Sequence, residues 1–132
     1  AVVIAQSTNS VGVLDPKSVG LETLADNIKV FEQGNDIVVG TSATVVSAFN
    51  KTMTRSAKYI VNVENNGEFE TRECMVIHDG TESYITEYGI LFTGANMLGD
   101  TDVRIIGSSV ELTYTALVAG AVVSVSASYI DA

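Results

Sequence analysis

The chain is 132 residues long with a formal charge of −9 and only 17 % charged residues, which suits a single folded domain. The seven Lys and Arg leave no basic footprint for nucleic acid, and the apolar content excludes a charge-rich disordered chain. Mean hydropathy is positive at +0.29, yet no apolar run approaches the roughly 18 residues of a spanning helix, so membrane insertion is not expected.

Residue type favours strands. Val, Ile and Thr make up 42 of the 132 residues, and their stiff χ1 rotamers pack better on a pleated surface than on a helix. Serines and threonines take the place of charge as the polar coat. The chain does not begin with Met and shows no basic stretch ahead of an apolar run, so no signal peptide is visible, and a fragment, a processed product and a trimmed leader all fit that start.

The first 42 residues read as an irregular N-terminal segment with short strands, packed on the main body or swapped into a neighbour's. Val2–Ala5 fits a short strand, and Asp15-Pro16 fits a turn or helix start. Leu21 to Ala25 is compatible with one helical turn between Gly20 and Asn27. Asn27–Glu32 and Ile37–Gly40 read as two strands of a hairpin around Gly34-Asn35-Asp36, residues that tolerate the positive φ of a tight turn.

Residues 43–132 read as the main module. Thr44–Phe49 is the next strand expected, and from Arg55 onward the alternation is regular. Ser56–Glu64 puts Ala57, Tyr59, Val61 and Val63 on one face, and Asn65-Asn66-Gly67 supplies a hairpin turn. Glu68–His78 puts Phe69, Thr71, Glu73, Met75 and Ile77 on one face, with Glu70, Arg72, Cys74 and Val76 on the other. Asp79-Gly80 turns the chain into Glu82–Thr93, where Ile85 and Leu91 share a face opposite Tyr84, Tyr88, Ile90 and Phe92. A Gly-rich loop from Gly94 to Asp100 leads to strands at Asp102–Ile106, Ser109–Ala116 and Ala121–Ile130. The spacing of about 8–12 residues leaves no room for crossover helices and points to an all-β, antiparallel β-sandwich of jelly-roll type with little or no helix.

The residue types that carry chemistry read as structural. His78 precedes an Asp-Gly turn with no nucleophile in a recognisable setting, since neither Ser42 nor Ser83 lies in a strained elbow motif. Cys74 sits near Glu70 and Glu73, which oppose thiolate formation, and reads as a buried structural thiol. Glu64, Glu68, Glu70, Glu73, Glu82 and Glu87 raise glycoside hydrolysis. Without Trp to line a sugar cleft they read instead as exposed strand carboxylates, partly paired with Arg55, Lys58 or Arg72. Asp100 and Asp102 could offer oxygens to Ca²⁺ but lack the full EF-hand pattern, so they read as turn residues. The Gly-rich loops lack phosphate-cradling spacing. No catalytic residue, metal site or cofactor is expected, and the chain reads as non-enzymatic.

Arg55-Ser56-Ala57-Lys58-Tyr59, Ile77-His78-Asp79-Gly80-Thr81 and Tyr84-Ile85-Thr86-Glu87-Tyr88 together resemble a module of virion structural proteins in T4-like marine phages, of the cyanophage tail-fibre or neck type. The likeness spans roughly residues 43–130. It implies an architectural role in a phage particle, assembled in the host cytoplasm, with other copies of the chain and other virion proteins as partners. Fibres and adaptors of that kind are commonly trimers, so a homotrimer is the expectation. Contact with a host-surface glycan is left open, as are two other readings. One is a carbohydrate-binding module using Tyr84, Tyr88 or Tyr114 as stacking platforms; the other is a capsid decoration protein.

Overall fold

The structure, a computed structural model, describes residues 7–8, 11–12 and 31–132. Ser7–Thr8 (β1) and Val11–Gly12 (β2) pair in a two-stranded ladder. The expected strand at Val2–Ala5, the turn at Asp15-Pro16 and the helical turn at Leu21 to Ala25 lie outside the described residues. So does the start of the strand expected from Asn27.

Eight strands build an antiparallel sandwich: β3 Phe31–Val39, β4 Thr44–Asn50, β5 Thr54–Asn65, β6 Glu68–His78, β7 Ser83–Phe92, β8 Gly99–Ile106, β9 Ser109–Ala116 and β10 Ala121–Asp131. One sheet has the order β3-β10-β5-β6-β7 and the other β4-β9-β8. The all-β expectation holds, and no helix occurs among the described residues.

The hairpins follow from their turn residues. Asn66 and Gly67 both take positive φ (52° and 79°), the pair a two-residue primed turn requires, and they join β5 to β6. At the next turn the Asp79 carboxylate accepts backbone N–H bonds from Thr81 and Glu82 at 2.9 and 2.8 Å, which lowers its pKa. These bonds satisfy donors that the loop would otherwise leave bare.

Gly34-Asn35-Asp36 does not make a hairpin. The chain runs straight through it as one strand, and β10 pairs along its whole length, Phe31 with Ser128 and Val39 with Ala121. Asp36 uses its positive φ of 57° in a β-bulge instead: Gly34 faces Val125 and Ile37 faces Val123, so Asn35 and Asp36 together oppose Ser124. The Asp36 N–H donates to the Ser124 hydroxyl at 3.2 Å. A residue that tolerates the left-handed region is needed in either arrangement, and the unbroken partner strand β10 decides between them.

The core lies between the sheets. Tyr59, Val61, Val76, Val123 and Val125 from the larger sheet meet Phe49, Val110, Leu112 and Tyr114 from the smaller. Tyr129 stands edge-on to both Phe49 and Tyr59, with ring centroids 5.7 and 6.4 Å away. Its hydroxyl lies 3.3 Å from Ser47 Oγ across the interior. Such aromatic pairs add about 0.5–1.5 kcal/mol each beyond area burial.

Candidate functional site

Two features stand out: a buried charged cluster between the sheets, and the outer face of the five-stranded sheet. Both arise on β6, whose alternation is inverted. Glu70, Arg72, Cys74, Val76 and His78 point inward, while Phe69, Met75 and Ile77 point to solvent.

Arg72 is 1 % exposed and anchors the cluster. Its Nε donates to Glu70 Oε2 at 2.9 Å, Nη1 donates to Glu87 on β7 at 2.8 Å, and Nη2 donates to the Gly99 carbonyl on β8 at 2.7 Å. The guanidinium carbon stands 5.6 Å from the centre of the Tyr114 ring on β9. Glu70 also accepts the Leu98 N–H at 2.6 Å and the Tyr114 hydroxyl at 3.1 Å. Burial and the adjoining Glu70 carboxylate push the Tyr114 phenol well above its usual range. Burial acts against the Arg72 charge, but hydrogen bonds and charge from Glu87 and Glu70 outweigh it and raise its pKa further. Every nitrogen of the fork has an oxygen partner, so the cluster fastens β6, β7, β8 and β9 together across the sandwich. No reactive group is left over in it.

That placement corrects the reading of the glutamates as exposed. Glu70 is buried, Glu87 is half-buried and paired inward, while Lys58–Glu73, at 3.1 Å, is a surface pair of the expected cross-strand kind. Glu64, Glu68 and Glu82 do face solvent. Sharing the Cys74 and Val76 face was the signal that Glu70 and Arg72 are interior.

The remaining candidates scatter. Cys74 is buried, and its thiol is pushed up to about 12 by burial and by the charge of Glu87. His78 is buried at the strand end, its Nε2 2.7 Å from the Thr54 carbonyl oxygen and its Nδ1 accepting the Gly80 N–H at 3.0 Å. Asp100 and Asp102 lie exposed along edge strand β8 rather than in a turn, and Asp102 accepts the Val103 N–H at 2.8 Å. Among the described residues no group of three or more His, Cys, Asp or Glu is placed to hold a metal. Tyr114 offers no ring face to solvent and so cannot stack on a sugar. Tyr84 and Tyr88 are half exposed, Tyr84 donating to Glu82 at 3.1 Å.

The second feature is larger. Pairing across β10, β5, β6 and β7 aligns Ile130, Ser56, Ile77 and Tyr84 in one outward row, and Ser128, Lys58, Met75 and Thr86 in the next. Ile60, Tyr88, Leu91 and Phe69 extend the apolar surface toward the other end. Tyr88 is the extra residue of a bulge, since Glu73 faces Gly89 while Cys74 faces Glu87. That bulge shifts the phase of β7, so Leu91 lies outward at 72 % exposure instead of sharing the inner face with Ile85. A shallow groove of about 330 Å³ crosses the same face beside Asn62, Thr71, Phe69, Leu91 and Ser124. The outer side of the smaller sheet differs, carrying Asp100, Asp102, Glu111 and Arg104, with an Arg104–Glu111 pair at 2.8 Å.

No family model matches the chain, and no curated protein matches it in sequence. Among solved structures it is similar to the tailspike protein of Acinetobacter phage vB_ApiP_P1, at 18 % identity and a TM-score of 0.49, over 76 % of this chain and 21 % of that one. It is also similar to the tailspike protein of Acinetobacter baumannii phage AM24, at 7 % identity and a TM-score of 0.41, over 98 % of this chain and 30 % of that one. The chain thus spans between a fifth and a third of the length of these tailspikes.

Proposed function

We propose that the chain is a non-enzymatic structural module of a phage particle, in a tail-fibre, neck or baseplate-associated protein, that assembles with other subunits through the outer face of its five-stranded sheet. The observation carrying this reading is that face. Met75, Ile77, Tyr84, Leu91 and Ile130 expose apolar surface side by side, a pattern that marks association surfaces in folded proteins. The motif likeness around Lys58, His78 and Tyr84 supports the particle setting. The full partnering of Arg72 and Glu70 supports a structural use for the charged residues.

Mass spectrometry of purified particles from the phage that encodes the chain, with antibody labelling in the electron microscope, tests the reading. It expects the chain in the particle, with label on the tail or neck. Absence from the particle overturns it, and label spread over the capsid favours a decoration protein instead. A second reading, glycan contact at the host surface, rests on the half-exposed rings of Tyr84 and Tyr88. It expects glycan-array binding that Tyr84→Ala and Tyr88→Ala abolish, and an array without hits removes it.

A further inference from the structure

We infer that the groove across the outer face of the five-stranded sheet takes an arginine side chain from an extended, partly apolar segment of a different protein of the particle. This rests on the reading of the face as an assembly surface and names the chemistry of what covers it.

Strand pairing lays out the groove. Asp36 on β3 donates its N–H to Ser124, Ser124 faces Asn62, Asn62 faces Thr71 and Thr71 faces Leu91, one row across all five strands. Val122, Glu64 and Phe69 form the next row, and the groove of about 330 Å³ lies along both. Its chemistry changes from end to end. Carboxylates, an amide and a hydroxyl line the β3 side, whereas Phe69, Leu91 and Phe92 make the β6–β7 side apolar. From β3 to β7 is four strand spacings of about 4.8 Å, or about 19 Å, the span of about six extended residues.

Charge selects the occupant. No Lys, Arg or His lines the groove, and neither Asp36 nor Glu64 has a charged partner among the described residues. Covering the face takes water from both carboxylates, so a cover without donors would leave them unpaired. A second copy has no cation to spare among its described residues. Lys58, Arg72 and Arg104 are each paired with a glutamate, and Lys51 and Arg55 donate to the Gly80 and His78 carbonyls. The net charge of −9 likewise favours a partner of opposite sign.

Arginine suits the site better than lysine. Glu64 and Phe69 stand directly cross-strand, and the Phe69 side chain is 53 % exposed. Such neighbours have Cβ atoms about 5 Å apart. A guanidinium that meets the Glu64 carboxylate with two parallel N–H bonds therefore also lies against the Phe69 ring, a combination that an ammonium lacks. Asn62, Ser124 and Asp36 offer acceptors for the remaining N–H groups, and Leu91 and Phe92 receive an apolar side chain further along the segment.

Nuclear magnetic resonance titration of the isotope-labelled 132-residue chain with blocked hexapeptides tests this. The probe has arginine at its second position and leucine at its fourth on a threonine background, so that both side chains face the groove. Its control replaces arginine by citrulline, which keeps the shape and loses the charge. The arginine peptide is expected to shift the signals of Asn62, Glu64, Phe69 and Thr71 and to bind at least tenfold more tightly than the control. Glu64→Gln brings the two peptides to within about twofold of each other. Phe69→Ala weakens the arginine peptide about threefold. Asp36→Asn, tolerated at a φ of 57° because Asn also takes the left-handed region, weakens the arginine peptide and spares the control. Asp100→Asn, exposed on the other sheet, changes neither.

An absence of shifts at these positions with about 5 mM arginine peptide overturns the inference. So does equal binding of the two peptides, or a preference for arginine that survives Glu64→Gln. Concentration-dependent shifts of the same signals without peptide mark a second copy as the occupant and overturn it too. If the arginine peptide fails to bind but the chain is found in the particle, this inference falls while the functional reading stands. If the peptide binds and the chain is absent from the particle, the groove chemistry stands and the functional reading falls.

Discussion

Replacing Arg72 by Met tests the claim that the buried cluster, and not generic packing alone, holds the two sheets in place. Met fills much of the same volume, so the change is chiefly electrostatic. It leaves the Glu70 carboxylate buried with only the Leu98 N–H and the Tyr114 hydroxyl as donors, and it strips the Gly99 carbonyl of its partner. Both members of the Arg72–Glu70 pair have side chains with no exposed surface. Removing one partner of such a pair costs about 3–5 kcal/mol. The lost bond to the Gly99 carbonyl adds about 1 kcal/mol, and the pair with the partly exposed Glu87 adds at most about 1 kcal/mol.

The expected loss is therefore about 4–7 kcal/mol, a large share of the 5–15 kcal/mol that stabilises an ordinary domain. Urea unfolding followed by circular dichroism reads it as a midpoint about 2–4 M lower than wild type. Glu70→Gln/Arg72→Met keeps an acceptor for the Leu98 N–H and removes the stranded charge, so it recovers part of the loss and serves if the single variant does not fold. Arg104→Met provides the contrast. Its partner Glu111 is on the surface and the change costs less than about 1 kcal/mol. An Arg72→Met loss no greater than that of Arg104→Met would refute the reasoning, as would a double variant less stable than the single one.

Gly99→Ala places a Cβ against the Thr115 carbonyl oxygen and 2.7 Å from the Tyr114 ring, so the variant is expected to lose about 1–3 kcal/mol or more in the same urea assay. Cys74 is expected to stay unmodified by a thiol reagent at pH 8 until the protein unfolds, because burial keeps it protonated up to about 12. Its folded pKa lies above its ordinary value of 9.0, so the stability it contributes is complete below pH 9 and is lost as pH rises toward 12. Cys74→Ala therefore shows a flatter fall of urea midpoint with pH across that window. Asp79 has the opposite sign: backbone N–H bonds lower its pKa below 3.8, so its contribution is full above that value and fades as pH falls through the lowered value. Carbon-detected titration reads the shift directly, and Asp79→Asn weakens the acid dependence.

Strand existence and inward faces were legible wherever apolar residues alternate with polar ones, as at Ala57–Val63 and Val123–Tyr129, because only one phase of those strands can be buried. Turn residues were legible as places needing positive φ, but not as to which element uses it. Gly34-Asn35-Asp36 has the composition of a hairpin and serves as a bulge, since the partner that spans it, β10, lies some 90 residues further along the chain. Tyr88 hid the same device, and one extra residue there was enough to exchange the faces of Leu91 and its neighbours. The candidate site was the least legible part. Whether a strand glutamate is interior depends on who waits for it inside, and the Leu98 N–H, the Gly99 carbonyl and Tyr114 are brought to Glu70 and Arg72 only by the second sheet.

β6 gives the strongest reason to connect the two features. A slip of one residue in its register would turn Phe69, Met75 and Ile77 inward and Glu70 and Arg72 out to water, a conventional arrangement that burial alone would prefer. The chain holds the other register. Cys74, Val76 and His78 share the inner face and are already packed, and Glu87, Tyr114 and the Gly99 carbonyl complete a guanidinium site that a slipped strand would leave empty. The register that satisfies Arg72 is thus the one that keeps Phe69, Met75 and Ile77 in solvent, beside Ile60, Tyr84 and Ile130 from three neighbouring strands. A fold that fixes charge inside while setting apolar side chains outside on four adjacent strands is adapted to a covered outer face, so Met75→Glu should disturb association and leave the urea midpoint of the isolated chain nearly unchanged.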